Sequence, residues 1–376
     1  MAGQQARTVE AAVGSRKFPW RNLLLGLFLV GLAVTPLLAS VFYVRLLSLV
    51  GLYGLVVLGL VLLTGYAGLA SLGQAAFVGT GAYTAAILAS RFSVNPWLGI
   101  LAGLVLSVLI ALVIGLVTLR LKGHFLALAT LAWGLIITGV IRNWIGVTGG
   151  NTGFGSATGN RYPPLSVFGF ELRGERVYAY LIWLCVLIVL LLSLNLMRSR
   201  TGRAVKALRT GTVAAASFGV DVQRLKLVIF LLAAAFAALA GGLFAFRELF
   251  IDPQLAGLNA SIDYLIMAVL GGVGSLWGGL FGAGLFVLLS EALQDYLPRL
   301  LGRSGNFETV AFGLILILVL HRARQGLLPL LSRVLPEEAP APVDRDAAPL
   351  PPRPKPAVTG GLLELKHVSK TFGGLK

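Results

Sequence analysis

The sequence predicts an all-α polytopic membrane protein with about eight transmembrane helices, a broken or re-entrant segment near residues 264–290 and a short extended C-terminal tail. Hydrophobic residues make up 57% of the 376 residues and charged residues only 12%. That is about half the charge of a soluble domain, which excludes a cytosolic enzyme. Five stretches contain no charged residue, and most reach the roughly 20 residues that span a bilayer. These stretches are 46–90, 97–119, 177–197, 227–246 and 264–290.

The distribution of charge indicates where the loops between the spans lie. The formal net charge is +16, and the basic residues lie between apolar runs rather than among exposed aromatic residues. This distribution is typical of positively charged cytoplasmic loops and not of nucleic-acid binding. We therefore expect a lipid bilayer and no nucleic acid as the partner, and a cytoplasmic N-terminal tail over residues 1–22.

Six apolar runs predict the first crossings: 23–43, 46–63, 66–90, 97–119, 124–144 and 177–196. An even number of crossings returns the chain to the cytoplasm at Met197. The next segment, 197–226, is the most basic internal loop and has Asp221 as its single acid. Its basic residues are Arg198, Arg200, Arg203, Lys206, Arg209, Arg224 and Lys226. The charge rule and the crossing count both place this loop in the cytoplasm.

The remaining runs are 227–246, 264–290 and 310–320. Three simple crossings would leave the basic residues after the last run outside the cell. The sequence Gly271-Gly272-Val273-Gly274-Ser275 resolves this, because its glycines disfavour a continuous helix. We predict a break without net crossing there, so that both termini are cytoplasmic in the cell membrane. Non-helical backbone at this depth usually lines a pathway, which makes Gly272, Gly274 and Ser275 candidate pathway residues.

Chemistry-bearing residues are sparse. None of the 15 acids lies at the centre of a predicted span, which argues against proton coupling but leaves a sodium site of carbonyls and hydroxyls open. The pattern G-x-x-x-x-G-K-[ST] is missing, and the three histidines lack metal-ligand spacing. We therefore expect no enzyme activity, no metal and no cofactor in this chain.

The uncharged stretch 64–86 combines glycines with hydroxyl and amide side chains. Its residues Gly65, Ser71, Gln74 and Tyr83 are candidates for the substrate pathway, because such groups can hydrogen-bond a polar substrate. Close packing between helices explains each of them equally well.

The transmembrane domain is predicted over 23–325, followed by a proline-rich linker over 326–360. Half of the 16 prolines lie in 335–358, a composition typical of an extended tether. Residues 361–376 alternate like an edge strand that ends in a turn.

Three segments carry a resemblance to the membrane permeases of branched-chain amino acid ABC importers, specifically the leucine/isoleucine/valine M-type. They cover the chain in the right order from about residue 20 to 325 and are specific only in combination. The segments run from Gly65 through Ser71-Leu72-Gly73-Gln74 to Thr84, from Ser199 to Val220, and from Leu270 to Gly278.

The resemblance implies a second permease subunit, forming a heterodimer, together with two cytoplasmic ATPase subunits that use ATP and a periplasmic or surface solute-binding protein. The loop 197–226 would then couple the permease to the ATPases, with Arg203, Arg209, Ala215 and Gly219 as candidates. Importer permeases often have E-A-A-x-x-x-G here followed by a proline, and this chain lacks both the glutamate and the proline.

A second resemblance concerns the tail. Residues 361–376 resemble the truncated start of an ABC ATPase domain, in which Phe372 matches the aromatic residue that stacks on adenine. Two other functions stay open: an ion-coupled secondary amino-acid transporter, and an ABC permease for urea or short amides.

Overall fold

The computed structural model of the chain describes residues 20–121, 123–167, 170–172 and 174–301. Beyond these it describes positions 313, 314, 317, 321, 322, 326–328 and 366. The chain divides into two compact units, Met1–Leu335 and Pro336–Lys376. The second unit, most of the predicted linker and the predicted ATPase stub with Phe372 lie outside the described residues, apart from Lys366.

Twelve helices are found in the described residues. They are α1 (Trp20–Leu38), α2 (Val41–Leu60), α3 (Gln74–Arg91), α4 (Pro96–Thr118), α5 (His124–Asn143), α6 (Ile145–Thr148), α7 (Glu175–Arg198), α8 (Arg200–Thr210), α9 (Thr212–Ser217), α10 (Val222–Glu248), α11 (Leu258–Gly271) and α12 (Leu276–Leu301). A π-helical turn, Val61–Tyr66, continues α2.

The prediction of an all-α polytopic membrane protein is confirmed. Six helices of the described part are long and apolar enough to cross a membrane, and Phe28–Leu38 and Leu258–Gly271 are shorter apolar helices. The strands found in this part are pairs of two residues each. Antiparallel pairing joins β1 (Phe154–Gly155) to β4 (Phe250–Ile251) and β2 (Ser166–Val167) to β3 (Phe170–Glu171).

The bundle has a central and a peripheral layer. The most apolar window of the span Val41–Tyr66 is 78% buried, whereas that of His124–Asn143 is 22% buried. Helix α10 packs against α2, and a methyl group on Gly59 would stand 3.0 Å from the Cα of Ala233. The outer face of α4 carries exposed leucine and valine side chains, as expected for contact with lipid or a second membrane subunit.

The bundle has two ends that differ in composition. The loop end contains residues 144–174, and the basic end contains α8 and α9. Helix α2 begins near the loop end, because the Nε1 of Trp183 in α7 donates to the carbonyl of Leu47 at 3.0 Å. The π-helical turn that continues α2 lies at the basic end, because Arg209 of α8 contacts Gly65.

The predicted span 66–90 is wrong at its start. Residues 67–73 are non-helical, and α3 begins only at Gln74. Gly68 has φ of 69°, a left-handed conformation that ends the preceding π-helical turn. We refer to residues 67–73 as the linker segment.

The predicted break in 264–290 is found at its glycines. Helix α11 ends at Gly271, and Gly272 has φ of 110°. Ser275 then begins α12 as its N-cap, its Oγ accepting from the amide of Gly278 at 2.8 Å. Because methyl groups on Gly271 and Gly282 would collide with the backbones of Gly278 and Met267, α11 and α12 form a tight antiparallel hairpin.

This hairpin also bears on the crossing count. Its turn lies beside Gly65 at the basic end, so α11 arrives there and α12 leaves. Gly326 packs against Gly272, at the same end. Helix α12 is itself long and apolar enough to cross a membrane, and the absence of a net crossing over 264–290 stays a prediction.

The placement of Asp263 corrects the expectation about acids. The predicted span began at 264, which put Asp263 at an edge, but α11 already begins at Leu258. The ring of the adjacent Tyr264 lies 5.8 Å from that of Tyr53, near the middle of the span Val41–Tyr66. A half-buried acidic residue, Asp263, thus lies next to Tyr264 at this depth.

Candidate functional site

The linker segment is fixed between α5 and α11. The amide of Leu72 donates to Oγ1 of Thr130 at 3.1 Å, and the amide of Ala75 donates to Oγ of Ser261 at 3.1 Å. Both contacts join residues far apart in sequence. They hold the start of α3 in the interior of the bundle.

Two predicted pathway residues, Ser71 and Gln74, lie where the linker segment ends and α3 begins. Their side chains are 3% and 1% exposed. The hydroxyl of Ser71 and both polar atoms of the Gln74 amide have no hydrogen-bond partner. Buried polar atoms without partners are rare and costly in proteins, so this pair is a candidate binding position.

A small cavity adjoins Ser71. Its walls are mainly apolar and include Ser71, Phe77, Ile114, Thr130, Trp133 and Phe230. The free volume is about 10 Å³, roughly the room that one water molecule needs. The cavity is therefore too small for an amino acid in the conformation described.

The structure does not bring Tyr83 to this position. Tyr83 lies roughly 13 Å further along α3. Its hydroxyl donates to the carbonyl of Ile251 at 3.3 Å and thereby holds β4 against α3. The geometry gives Tyr83 a packing contact near the loop end.

The other predicted pathway residues gather at the basic end. A methyl group on Gly65 would collide with the carbonyl of Val273 in the turn between α11 and α12. Gly272 shapes this turn and Ser275 caps α12, whereas Gly274 is exposed with no atom near its missing side chain. Gly65 and the 272–275 turn thus form one contact, separate from Ser71 and Gln74.

Arg209, a predicted coupling residue, touches this contact. Its Nη1 donates to the carbonyl of Gly65 at 2.8 Å. A methyl group on Gly68 would lie 3.5 Å from the Cα of Arg209. The Nζ of Lys206 lies 5.8 Å from the ring centre of Tyr66, within the range of a cation–π interaction. Helix α8 is therefore joined to the end of α2 and to the linker segment.

The remaining predicted coupling residues lie on α8 and α9. Arg203 is exposed, and its Nη1 donates to the carbonyl of Arg198 at 3.5 Å. Ala215 is buried, and its carbonyl accepts from the amide of Val220 at 3.2 Å, while Gly219 donates to Ala216 at 2.9 Å. These two bonds form a Schellman motif, which requires the φ of 78° seen at Gly219.

Helix α9 presents apolar side chains to its surroundings. Val213 is 79% exposed and Phe218 is 89% exposed. Exposed apolar groups next to a basic helix are a candidate contact surface. We call Val213, Phe218 and Gly219 the α9 surface.

Comparison with known proteins identifies the family. Residues 42–320 match the permease component of branched-chain amino acid transport systems. The chain belongs to this family. It is 32% identical to the permease protein LivM of Salmonella typhimurium and 31% identical to LivM of Escherichia coli K12, each over 81% of this chain and 75% of the relative. Over 39% of its length it is 34% identical to the permease protein LivH of E. coli K12, which is covered over 46%. No solved structure matches it.

The permease also contains an ion-pair network that sequence reasoning missed. The Arg247 side chain, 1% exposed, pairs with Glu175 at 2.8 Å and with Glu248, which ties α10 to α7 at the loop end. Charged residues at both span ends were visible in the sequence, but their pairing across 72 positions was not. Nearby, the hydroxyl of Tyr162 donates to the carbonyl of Ala245 at 3.0 Å, and burial raises the pKa of that phenol.

A metal site has no support in the described part of the permease. No group of three or more histidine, cysteine or acidic side chains comes together among these residues.

Proposed function

We propose that this permease is the membrane subunit of an importer of branched-chain amino acids that is driven by separate ATPase subunits. It would work with a second permease subunit and a solute-binding protein. The observation that carries the proposal is the hydrogen bond from Arg209 to Gly65. This bond joins the basic arm, α8 and α9, to the backbone that leads into the closed cavity.

The α9 surface is the proposed docking position for an ATPase subunit. Its exposed Val213 and Phe218 would enter an apolar groove, and the surrounding arginines would contact acidic residues at the rim. ATP-driven closure of the ATPases would then move α8. Because α8 contacts Gly65 and Gly68, that movement reaches both the α11–α12 turn and the linker segment.

The proposed transport cycle requires only conformational changes in this chain and no catalysed reaction. The closed cavity beside Ser71 represents one state, and movement of the linker segment away from α5 would open it. Alternating access of this kind requires a bistable element whose two states bind the partners differently. The linker segment fits this role because it is non-helical and contacts both α5 and Arg209 of the basic arm.

The basic end is proposed to face the cytoplasm. Arginine and lysine residues are enriched there, in agreement with the positive-inside rule. The ATPases, which consume cytoplasmic ATP, would dock at that face, and the loop end with residues 144–174 would receive the solute-binding protein.

Uptake into proteoliposomes tests the proposal. Vesicles that contain the chain with its second permease and ATPase subunits should accumulate labelled leucine only when ATP and the binding protein are supplied. Excess urea or acetamide should leave this uptake unchanged. Competition by urea or acetamide would instead support a permease for short amides.

Asp263 favours a second candidate, an ion-driven transporter. Its half-buried position beside Tyr264, near the middle of the span Val41–Tyr66, is the kind that ion-coupled transporters use. Vesicles that contain the chain alone, with an inward sodium gradient and no ATP, separate the two functions. Leucine uptake under those conditions that is lost in Asp263→Asn would establish ion coupling and overturn the ABC proposal.

A further inference from the structure

Two helices of the permease begin inside the bundle rather than at one of its ends. The carbonyl of Phe77, in the first turn of α3, accepts from Oγ of Ser107, which lies near the middle of α4. The chain just before α11 also lies inside the bundle, because Ala256 accepts from Oγ1 of Thr138 at 2.7 Å and a methyl group on Gly79 of α3 would collide with the Ala256 side chain. Helix α3 then runs toward the loop end and α11 toward the basic end.

The two N-termini meet. The amide of Ala75, the second residue of α3, donates to Oγ of Ser261 in the first turn of α11 at 3.1 Å. Both helices have a glycine N-cap, Gly73 and Gly257, which offers no side-chain acceptor, and neither has an acid in its first turn. Each N-terminus carries partial positive charge from its free amides, so positive potential concentrates at this point.

Unpartnered side chains at the same point provide an independent observation. Gln74 is the first residue of α3, and helical side chains lean toward the N-terminus of their own helix. Its amide and the hydroxyl of Ser71 are buried without a partner. The site therefore contains donors that nothing in the described chain satisfies.

We propose that the meeting point of α3 and α11 is a binding site for the carboxylate of the transported amino acid, an inference that rests on the proposed function. The carboxylate would accept from the amide group of Gln74, from the hydroxyl of Ser71 and from the helix N-termini. Phe77, Ile114 and Phe230 would contact the aliphatic side chain, since they form the adjoining apolar wall. We call this position the carboxylate site.

The site is closed in the conformation described and opens through the linker segment. The cavity has about 10 Å³ of free volume, enough for about one water molecule and too small for leucine. Ser71 and Gly73 belong to the linker segment, whose Gly68 packs against Arg209. The same arm that contacts the ATPases would thus expose the site.

Uptake by the reconstituted importer tests this inference, with labelled leucine transported per ATP hydrolysed as the readout. Three variants alter the site: Gln74→Glu puts negative charge where the carboxylate would bind, Gln74→Leu removes the amide, and Ser71→Ala removes the hydroxyl. Ser193→Ala is the matched control for Ser71→Ala, because Ser193 in α7 is also a buried hydroxyl without a partner and, unlike Ser71, does not line the cavity.

We expect Gln74→Glu to lower leucine per ATP by about tenfold or more, because like charges are then forced together. Gln74→Leu and Ser71→Ala should each cause a smaller loss, and Ser193→Ala should match the wild-type importer. A merely structural role for Gln74 predicts no loss in Gln74→Leu, because replacing an unsatisfied amide by an apolar group is close to neutral.

Wild-type leucine per ATP in Gln74→Glu would overturn the carboxylate site, as would equal losses in Ser71→Ala and Ser193→Ala. A larger loss in Gln74→Leu than in Gln74→Glu would also contradict a carboxylate ligand. Failure of the proposed function looks different, because the wild-type importer itself would then move no leucine with ATP.

Discussion

At the residue scale, single backbone positions decide how the basic arm is built. Gly219 ends α9 with φ of 78° and has no atom within 4 Å of its missing side chain. A larger side chain there would not clash with other atoms. Its cost would come from the left-handed backbone conformation alone. Its substitution therefore tests the shape of the α9 surface without disturbing the bundle.

Replacing Gly219 by leucine should reduce ATP-driven leucine uptake while leaving the amount of permease in the membrane unchanged. The left-handed conformation costs a non-glycine residue about 1–2 kcal/mol, so the end of α9 will rearrange. Gly219→Asn is the control, because asparagine tolerates this conformation better. Uptake by Gly219→Leu equal to that of Gly219→Asn would remove Gly219 from the coupling surface.

At the element scale, the α11–α12 hairpin shows how small residues permit a broken segment inside a bundle. A methyl group on Gly282 would collide with the carbonyl of Met267 and the backbone of Gly271. The hairpin turn in turn rests on Gly65, the carbonyl acceptor of Arg209. Loosening the hairpin should thus affect both stability and coupling.

Gly282→Ala should lower the stability of the permease by about 1–3 kcal/mol, the usual cost of overpacking a dense interior. Gly284→Ala, two positions along the same helix, should have little effect, because its new methyl group would meet only Cγ1 of Val50 at 3.6 Å. Thermal unfolding of the purified permease in detergent measures both. Similar melting temperatures for the two variants would refute the tight packing of α11 on α12.

Elements also show what the sequence could and could not predict. The runs 97–119 and 177–196 predicted α4 and α7 closely, because apolar composition marks a continuous span. The run 66–90 failed because it is equally uncharged in the linker segment and in α3. The backbone dihedral angles, such as the left-handed φ of Gly68, separate them, and composition does not report a dihedral angle.

The same limit applies to the candidate site. Ser71 and Gln74 could be singled out by their polarity within an apolar run, and so could the glycines of 271–274. The contact of Ala75 with Ser261 joins residues 186 positions apart, and the meeting of two helix N-termini follows from that contact alone. Long-range pairing of this kind leaves no local pattern in a single sequence.

At the scale of the whole molecule, the permease is a bundle with two unlike ends. The basic end carries exposed apolar side chains and the contact of Arg209 with Gly65, whereas at the loop end the ion pair of Arg247 with Glu175 joins α10 to α7. The contacts of Arg209 with Gly65 and Gly68 link the basic end to the linker segment, which reaches the cavity at Ser71. That arrangement suits a gate that is moved from one side.

Cysteine labelling of intact cells tests which end faces the cytoplasm. In a Cys185→Ser background, Ser156→Cys at the loop end should react with a membrane-impermeant maleimide, since Ser156 is exposed. Ser217→Cys at the basic end, also exposed, should react only after permeabilisation. The reverse pattern would place the basic end outside and contradict the proposed docking of ATPases.

The most direct test of the central claim is the leucine moved per ATP hydrolysed by a reconstituted importer that carries Arg209→Met. This change removes the hydrogen bond to Gly65 and keeps the side-chain stem, while Arg224→Met removes an exposed arginine that pairs only locally with Asp221 at 3.9 Å. Loss of a charge-assisted hydrogen bond should lower the ratio by about tenfold, whereas Arg224→Met should retain the wild-type ratio. An unchanged ratio in Arg209→Met would contradict transmission through the basic arm.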